Sequence, residues 1–506
     1  VARDLSKLVD KTGKRKKGAS FDYEIPDDHG GDLDYELAFQ PPNDLGNGQR
    51  FVKRFGRDFR HVPKVGWFGW DGERWSHDDG EPLSFMRAHD VSRLIRRELD
   101  ALRAKPPEKW SEDTLNMRCG WLAMLQNTAG QTGSVRAMLT AAQPYLLKPL
   151  DEMDGKEWLC PCPNGTLELS HECQFRDSRR EDFMTRRLGV PFMPTAECPA
   201  FEQFISQIMP NRDMADFLQR ILGYALCGST REQVIFLFHG SGNNGKSTLM
   251  NVVREVFGDF AMVSPVSTFL AKIQTSGGEA SPDIARLPGA RLVTASEPPE
   301  GARLDEGKVK EMTGGEPMTA RHLNQGFFTF KPVFKAILLM NNLPAIRGVD
   351  HGIWRRIRLV PFTVQIPDEK IDRDLERRLK LEGPGILNWI LRGHEAYRHI
   401  GLAPPDAAIA VAEEYRADQD IVGEFLRECC QQTDLIDPAT GHAYECGSKE
   451  LRKVYKAWCE ENGMEAMPSN RFGAKVIGRG IRRRRSHGNT LYAGLVIKAS
   501  WAAKMV

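Results

Sequence analysis

A chain of 506 residues has room for about three domains and a sizeable core. With 41% apolar and 27% charged residues its composition is globular, and a net charge of only +2 means that any footprint for a polyanion is local. No apolar run nears the roughly 20 residues of a membrane span and no signal pattern opens the chain, so membrane insertion and export are not indicated. Ten scattered cysteines read as reduced thiols in a cytoplasmic compartment, not as a disulfide framework. The chain starts at Val1 without a methionine, as a piece of something longer would.

Residues 1–42 read as a disordered linker. The basic run Lys14-Arg15-Lys16-Lys17 is followed by acids from Asp22 to Glu36, with few apolar residues between. Asp32 and Asp34 have the spacing of a polymerase metal site, but a solvated acidic linker explains them better. Residues 43–195 predict an α+β domain. Residues 65–75 read as a hairpin turning at Asp71-Gly72, and Val91, Leu94, Ile95, Leu99 and Leu102 share a helix face. Cys160, Cys162, His171 and Cys173 are a candidate zinc set. The first two are separated by one residue, which is too tight for a knuckle, and Asn164-Gly165 reads better as a hairpin turn. Over residues 196–365, strands at 234–238, 291–295, 336–340 and 357–360 alternate with helical or loop segments. That alternation predicts a parallel sheet in a three-layer α/β core. Residues 366–418 read as a helical extension. Residues 419–506 give helix, helix and hairpin, the order of a winged helix. Nine basic residues and no acid lie between Ala466 and Val506, and Arg482, Arg483, Arg484 and Arg485 are consecutive. This favours contact with nucleic acid over a solvated basic strand.

The core carries a phosphate loop. After the apolar run 234–238 come Gly240, Ser241, Gly242, Asn243, Asn244, Gly245, Lys246 and Ser247, in the spacing G-x-x-x-x-G-K-[ST], then Thr248 and an amphipathic helix. Backbone N–H groups of such a loop converge on phosphate oxygens, Lys246 reaches the outer phosphates and Ser247 is placed for Mg²⁺. This points to ATP and Mg²⁺. Glu297 closes the buried strand Leu292-Val293-Thr294-Ala295-Ser296 and is the candidate to polarise water and complete the metal shell. Ser296 stands where many such ATPases carry an acid, and assists the metal shell at most. Asn341, ending the next strand, is placed to sense the terminal phosphate. Arg355 and Arg356, just before a strand, suit a neighbouring subunit's nucleotide as well as a structural ion pair. Between the strands, the turn Asn324-Gln325-Gly326 with Phe327, Phe328, Phe330 and Lys331 suits a hairpin gripping single-stranded DNA. For Phe328 and Phe330 a core position is the better reading.

In combination, GSGNNGKST, LVTASE, KEMTGGEPMTAR, LLMNNLPAIRG and GIWRRIRLVPF resemble the superfamily 3 AAA+ helicases of phage and plasmid primase-helicases, with poxvirus relatives. Upstream, NDLGNGQRFVKRFG, GWFGWDGERW, PNGTLEL and LQRILGYALCG look like the domain that precedes that helicase. Downstream, AEEYRADQDIVGEFL looks like its tail into a winged helix, so the likeness covers roughly residues 43–500. The resemblance implies a homo-oligomeric ring, usually a hexamer, that hydrolyses ATP between subunits and moves 3′ to 5′ on DNA for a phage, plasmid or other mobile element. It implies Lys246 and Ser247 for phosphate and Mg²⁺, Glu297 as catalytic acid, Asn341 as sensor and Arg356 as the arginine offered in trans. Lys310, Thr313, Gly314 and Gly315 fall on the motif before the pore hairpin. Glu316 stands where the family often has aspartate. No primase centre is visible, so a primase or polymerase part would be upstream or on another chain. The alternatives are a ring ATPase that moves DNA without separating strands, and a scaffold that uses nucleotide only to assemble.

Overall fold

Charge, not only apolar surface, holds the first unit together. This unit of the computed structural model takes in residues up to 71 and 75–149, while 72–74 and 150 onward form the second. The structure describes residues 30–170, 173–271, 282–321, 327–346, 351–433, 436, 444–462, 464–486 and 489–505. In the first unit, helices α1 (Gly30–Leu37) and α2 (Asp44–Phe55) lead into strands β1 (Phe59–Val62), β2 (Gly66–Trp70) and β3 (Trp75–Ser76). The expected hairpin is there, antiparallel, with Trp70 opposite Trp75. Helices α3 (Gly80–Ala104), α4 (Glu112–Thr128) and α5 (Thr132–Ala142) complete it. The described part of the expected linker, residues 30–42, departs from that reading. α1 is a helix, and Asp34 ion-pairs with Arg54 at 2.6 Å, which also meets the buried Glu98 of α3. Arg50 makes a second pair with Glu98 at 2.8 Å with both side chains fully buried. Asp34 is therefore a structural anion, not a solvated or metal-binding one; removing one partner would strand a buried charge.

The boundary expected near 195 falls at 149 in the packing. Strands β4 (Leu159–Cys162), β5 (Gly165–Glu168) and β6 (Gln174–Arg176) form a small antiparallel sheet. Leu159, Cys160, Leu167 and Leu188 from this region enter the same core as helices α6 (Pro199–Ile208) and α7 (Arg212–Leu226). Cys160 and Cys162 are buried thiols here. Cys160 Sγ accepts from the Arg291 guanidinium at 2.8 Å, and the Cys162 thiol donates to Cys160 O. Among the described residues no group of three or more ligands could hold a metal, and His171 lies outside them. All ten cysteines are unpaired.

The central sheet follows. β7 (Ile235–His239) runs into α8 (Lys246–Phe257). Then come β8 (Ala261–Val263), the short α9 (Pro282–Ala285), β9 (Leu292–Ser296) and α10 (Glu306–Gly314). The hairpin β10 (Met318–Arg321) and β11 (Phe327–Phe330) precedes β12 (Lys335–Met340), α11 (His351–Trp354) and β13 (Ile357–Pro361). The five strands β13-β7-β12-β9-β8 are all parallel. β7 and β12 are almost wholly buried, as strands covered on both faces must be. The four expected strands lie within a residue of their expected places. The fifth, β8, has three residues and half-exposed side chains, too little for any periodicity to show. Helices α12 (Leu375–Leu381), α13 (Gly383–Ile400) and α14 (Asp406–Asp418) extend the core.

The C-terminal elements are α15 (Ile421–Cys429), β14 (Cys430–Gln432), β15 (Glu445–Gly447), α16 (Ser448–Glu461) and α17 (Ser469–Ile477). After these come β16 (Arg483–Ser486), β17 (Asn489–Ala493), β18 (Leu495–Ile497) and the short α18 (Ala499–Ala502). Phe425, Tyr455, Trp458 and Phe472 centre their core, where Tyr455 stacks on Phe472 at 4.4 Å. No described helix is long and apolar enough to cross a membrane.

Candidate functional site at the end of the parallel sheet

A parallel sheet puts the carboxyl ends of all its strands on one rim, and ligands of such sheets bind there. β7, β12 and β9 are neighbours, so the residues that follow them meet. The loop after β7 curls because Gly245 holds φ +79°. A Cβ there would also lie 2.6 Å from Ile208 Cγ2, so glycine is required twice over. Helix α8 then starts at Lys246, with its N-terminus and its partial positive charge at the loop.

Lys246 is only 5% exposed. Its ammonium donates to Gly240 O at 2.8 Å, to Asn244 Oδ1 at 3.0 Å and to Asn341 Oδ1 at 3.4 Å. Burial pulls its pKa below the ordinary lysine value, opposed by the nearby Glu297 carboxylate. The Asn341 amide in turn donates to Glu297 Oε1 at 3.4 Å. Three strands thus bring lysine, amide and carboxylate into one chain of contacts. Glu297 sits at φ +48°, an uncommon conformation for a non-glycine residue that turns the chain out of β9 at the site. Ser247, Ser296 and Glu297 are exposed, as are Asn341 and Ser241. Asn244 is 3% exposed, and its Nδ2 is buried without a hydrogen-bond partner. A buried orphan donor, a lysine held by neutral oxygens and a helix N-terminus together fit a polyphosphate with its cation. His239, closing β7 beside them, is kept below the usual histidine pKa by burial.

Sequence reasoning missed the flank of this loop. A cavity of about 300 Å³ lies beside it, lined by Phe204, Gln207, Thr248, Ile366 and Leu375 among others. Its walls come from α6, α8 and the segment after β13, and no motif announces that assembly. The segment is tied to the loop: Ile366 N donates to Asn243 O at 2.7 Å, and Asn243 Nδ2 donates to Asp368 Oδ1 at 3.0 Å.

The two arginines before β13 separate. Arg356 is buried, and its guanidinium donates to Thr313 Oγ1 at 3.1 Å and Gly352 O at 3.2 Å. Two of the Arg356 donors are thus engaged within its own chain, which makes it the less accessible of the two arginines. Arg355 is the exposed one, donating to Gln233 Oε1 at 3.1 Å. Both stand at the amino end of β13, since Arg356 O accepts from Ile235 N at the start of β7. The phosphate loop is a strand-length away, roughly 16 Å.

β10 and β11 pair antiparallel, with Arg321 opposite Phe327. The turn residues Asn324 and Gln325 lie outside the described residues. Phe330 is buried and Phe328 packs against the core, whereas Phe327 is 52% exposed with the Arg321 guanidinium 5.0 Å over its ring. Lys331 ion-pairs with Glu157 at 3.1 Å, so its charge is already partnered. In the C-terminal hairpin, Arg482, Arg483, Arg484 and Arg485 are all exposed, and Arg484 pairs with Glu445 at 2.9 Å.

Two protein families match this chain: one described as D5 N terminal like, over residues 48–210, and one described only as a family of unknown function, DUF5906, over residues 238–356. The chain is 28% identical over 335 residues to a protein of Acanthamoeba polyphaga mimivirus provisionally named a helicase, covering 62% of this chain and 34% of that protein. It is 28% identical over 172 residues to an African swine fever virus protein provisionally named a primase, covering 33% of this chain and 18% of that one. The chain thus spans about a third or less of the length of these relatives. Among solved structures, the apo C-terminal region of NrS-1 aligns at a TM-score of 0.37 and 12% identity, over 60% of this chain and 77% of that one.

Proposed function

We propose that this chain, a member of the primase-helicase family that places a D5 N-terminal-like domain ahead of its P-loop core, is an ATP-driven DNA helicase of a virus, phage or other mobile element. The provisional names of its viral relatives support a role in replication. The observation that carries the reading is the contact chain Lys246–Asn341–Glu297 across three adjacent strand ends. In it, Lys246 and the loop N–H groups bind the outer phosphates, Asn341 positions, and Glu297 polarises the attacking water. Ser247 and Glu297 would hold Mg²⁺, which supplies charge neutralisation on the phosphates. The cavity beside Phe204 and Ile366 takes the base. Arg355, not Arg356, serves a neighbouring subunit's phosphates within a ring. The Arg321–Phe327 end of the hairpin, with Asn324 and Gln325 beyond it, meets single-stranded DNA, and the exposed arginines of β16 meet duplex or fork.

Steady-state ATPase with and without DNA, beside strand displacement on a forked duplex, tests this. ATP hydrolysis with no unwinding in either polarity would leave a DNA-moving ATPase in place of a helicase. No hydrolysis under any DNA condition would end the enzymatic reading.

A further inference from the structure

In sequence the second half of α3 looks balanced, with Arg93, Arg96, Arg97 and Arg103 interspersed among Asp90, Glu98 and Asp100. The fold undoes that balance. Asp90 and Glu98 are fully buried, the first held by Arg87 and Arg93 and the second by Arg50 and Arg54. All four arginines are exposed, with Asp100 as the exposed acid among them. Arg96 and Arg103 have no ion-pair partner among the described residues. The outward face of α3 is therefore basic.

The neighbouring helix α4 is of another kind. Between Thr114 and Ser134 the single charge is Arg118, which is buried and donates to Ala38 O and Gln40 O. Met117, Trp121 and Met124 share one face of α4 and are all exposed. Beside them lie Asn116, Gly120, Ala123 and Asn127, short and also exposed. The two helices pack through Ile95, Leu99 and Leu102 of α3 against Cys119, Leu122 and Leu125 of α4. The short row ends against α3 at Gly130, where a Cβ would lie 3.0 Å from Ser92 Oγ. Ser92, Arg96 and Arg103 share a side of α3. The short side chains thus separate the arginines from the Met–Trp–Met row. Equal rises along the two helices from the Gly130–Ser92 contact bring Arg96 and Arg103 level with about residues 126 and 119, the stretch that holds Trp121 and Met124.

A polyanion is drawn to this arginine row, and the acids of α4, Glu112 and Asp113, stand only in its first turn. A duplex would lay phosphates on the arginines but leave Trp121 uncovered, because its bases are stacked on each other. An unpaired strand satisfies both sides. Its phosphates meet the guanidinium groups, and its bases lie over the short side chains against the indole and the methionines, the combination that single-strand binding uses. Helix axes roughly 8–10 Å apart suit that span. We propose that the α3–α4 face, from Arg96 and Arg103 to Met117, Trp121 and Met124, binds single-stranded DNA. The inference rests on the reading that this chain acts on DNA, but on neither the ATP site nor the ring. None of its residues belongs to the phosphate loop, the β10–β11 hairpin or the C-terminal elements, so it adds a hold on the unpaired strand outside the ATPase core.

Fluorescence anisotropy of the full-length chain on a labelled oligothymidylate, beside a blunt duplex of the same length, tests it. Arg96→Ala and Arg103→Ala should each flatten the plot of log affinity against log salt by about 0.7 on the single strand. Trp121→Ala should weaken single-strand binding about fivefold or more, the loss of one stacked base, with duplex binding little changed. The three side chains are exposed, so the variants should melt like the wild type. In the unaltered chain, ultraviolet crosslinking to a bromodeoxyuridine oligonucleotide, read by mass spectrometry, should mark the α4 segment around Trp121. That readout depends on no variant and reports contact rather than a structural role. Crosslinks confined to other segments, with wild-type affinity in Trp121→Ala, overturn the proposal. Equal losses on strand and duplex in the arginine variants, with Trp121→Ala silent, overturn it in favour of a duplex-backbone contact. A wild-type chain that binds neither strand nor duplex overturns the DNA reading itself, a result distinct from both.

Discussion

At the scale of single residues, the site is governed by where charge is buried. Lys246 has its ammonium among neutral oxygens of Gly240, Asn244 and Asn341, an environment that a phosphate would improve. Lys246→Ala should therefore lower both nucleotide binding and turnover, the latter by about 10²-fold or more. Glu297→Gln keeps shape and hydrogen bonding, so it should bind ATP normally while turnover falls by about 10²–10⁴-fold. Filter binding beside a phosphate-release assay checks the pair, and equal loss of binding in both would remove Glu297 from catalysis. Arg355 and Arg356 make a second contrast. If Arg355 acts on a neighbour, Arg355→Ala and Lys246→Ala chains are each inactive alone but regain turnover when mixed, since one joint in the mixture has both groups. In GTPase examples an arginine of this kind contributes about 10³–10⁵ in rate. Arg356→Ala should instead lower thermal stability by about 1–3 kcal/mol, through the partners it leaves unsatisfied. Recovery of activity by mixing with Arg356→Ala, and not with Arg355→Ala, would reverse the assignment. Nothing in the run Trp354-Arg355-Arg356-Ile357 separates the two arginines by type or spacing. Only the position of Thr313 does, and it lies more than forty residues away in sequence.

At the scale of elements, α7 and α13 cross at a point where backbone meets backbone. A Cβ on Gly223 would lie 2.1 Å from His394 N, and one on Gly393 2.1 Å from Gln219 O. Alanine is the better helix former by about 1 kcal/mol, yet Gly223→Ala should destabilise by about 1–3 kcal/mol or more, because the helices must part. A thermal melt in which this variant gains stability would show that the crossing is loose. His394 sits at the same crossing with Nδ1 3.0 Å from Gly223 O and Nε2 3.3 Å from Leu169 O. The two carbonyls favour the imidazolium, but burial outweighs them and lowers its pKa below 6.5. The sign follows: the unfolded chain binds this proton more readily, so the neutral ring's contribution is intact above pH 6.5 and declines as pH falls below it. Urea midpoints at pH 7.5 and 5.5 should differ less in His394→Gln than in the wild type. An equal difference would assign the acid sensitivity elsewhere. The sheet itself was legible because β7, β9, β12 and β13 are buried runs bounded by polar residues. The 149 boundary was not. Leu159, Leu167 and Leu188 are ordinary apolar residues in sequence, and only the structure reveals that their partners are α6 and α7.

At the scale of the whole molecule, the phosphate loop and the basic hairpin strand β16, the wing, pack on different cores and can be perturbed apart. The wing is part of a real core: Phe472, Val476, Tyr492, Leu495 and Trp501 pack with Phe425 and Trp458. Cutting away residues 466–506 would therefore unfold the C-terminal elements, and its effect on DNA binding would be uninterpretable. Point charges are the cleaner probe. Along β16 alternate residues face opposite sides, so Arg483 and Arg485 share a face, while Arg484 points the other way and is held by Glu445. If the wing lies on a duplex, Arg483→Ala and Arg485→Ala should each weaken forked-duplex binding and flatten the plot of log affinity against log salt by about 0.9. Arg484→Ala should change the slope less, since Glu445 already offsets that charge. ATPase without DNA should be kept in all three, because the wing lies in a different part of the fold from Lys246 and Glu297. The measurement is fluorescence anisotropy on a labelled fork at several salt concentrations, in the Lys246→Ala background so that nucleotide turnover does not enter. Equal slopes for wild type and the Arg483/Arg485 double variant would make this strand a solvated basic face. A larger slope change from Arg484 than from its neighbours would mean that the other side of the hairpin meets the phosphates, with Glu445 displaced on binding.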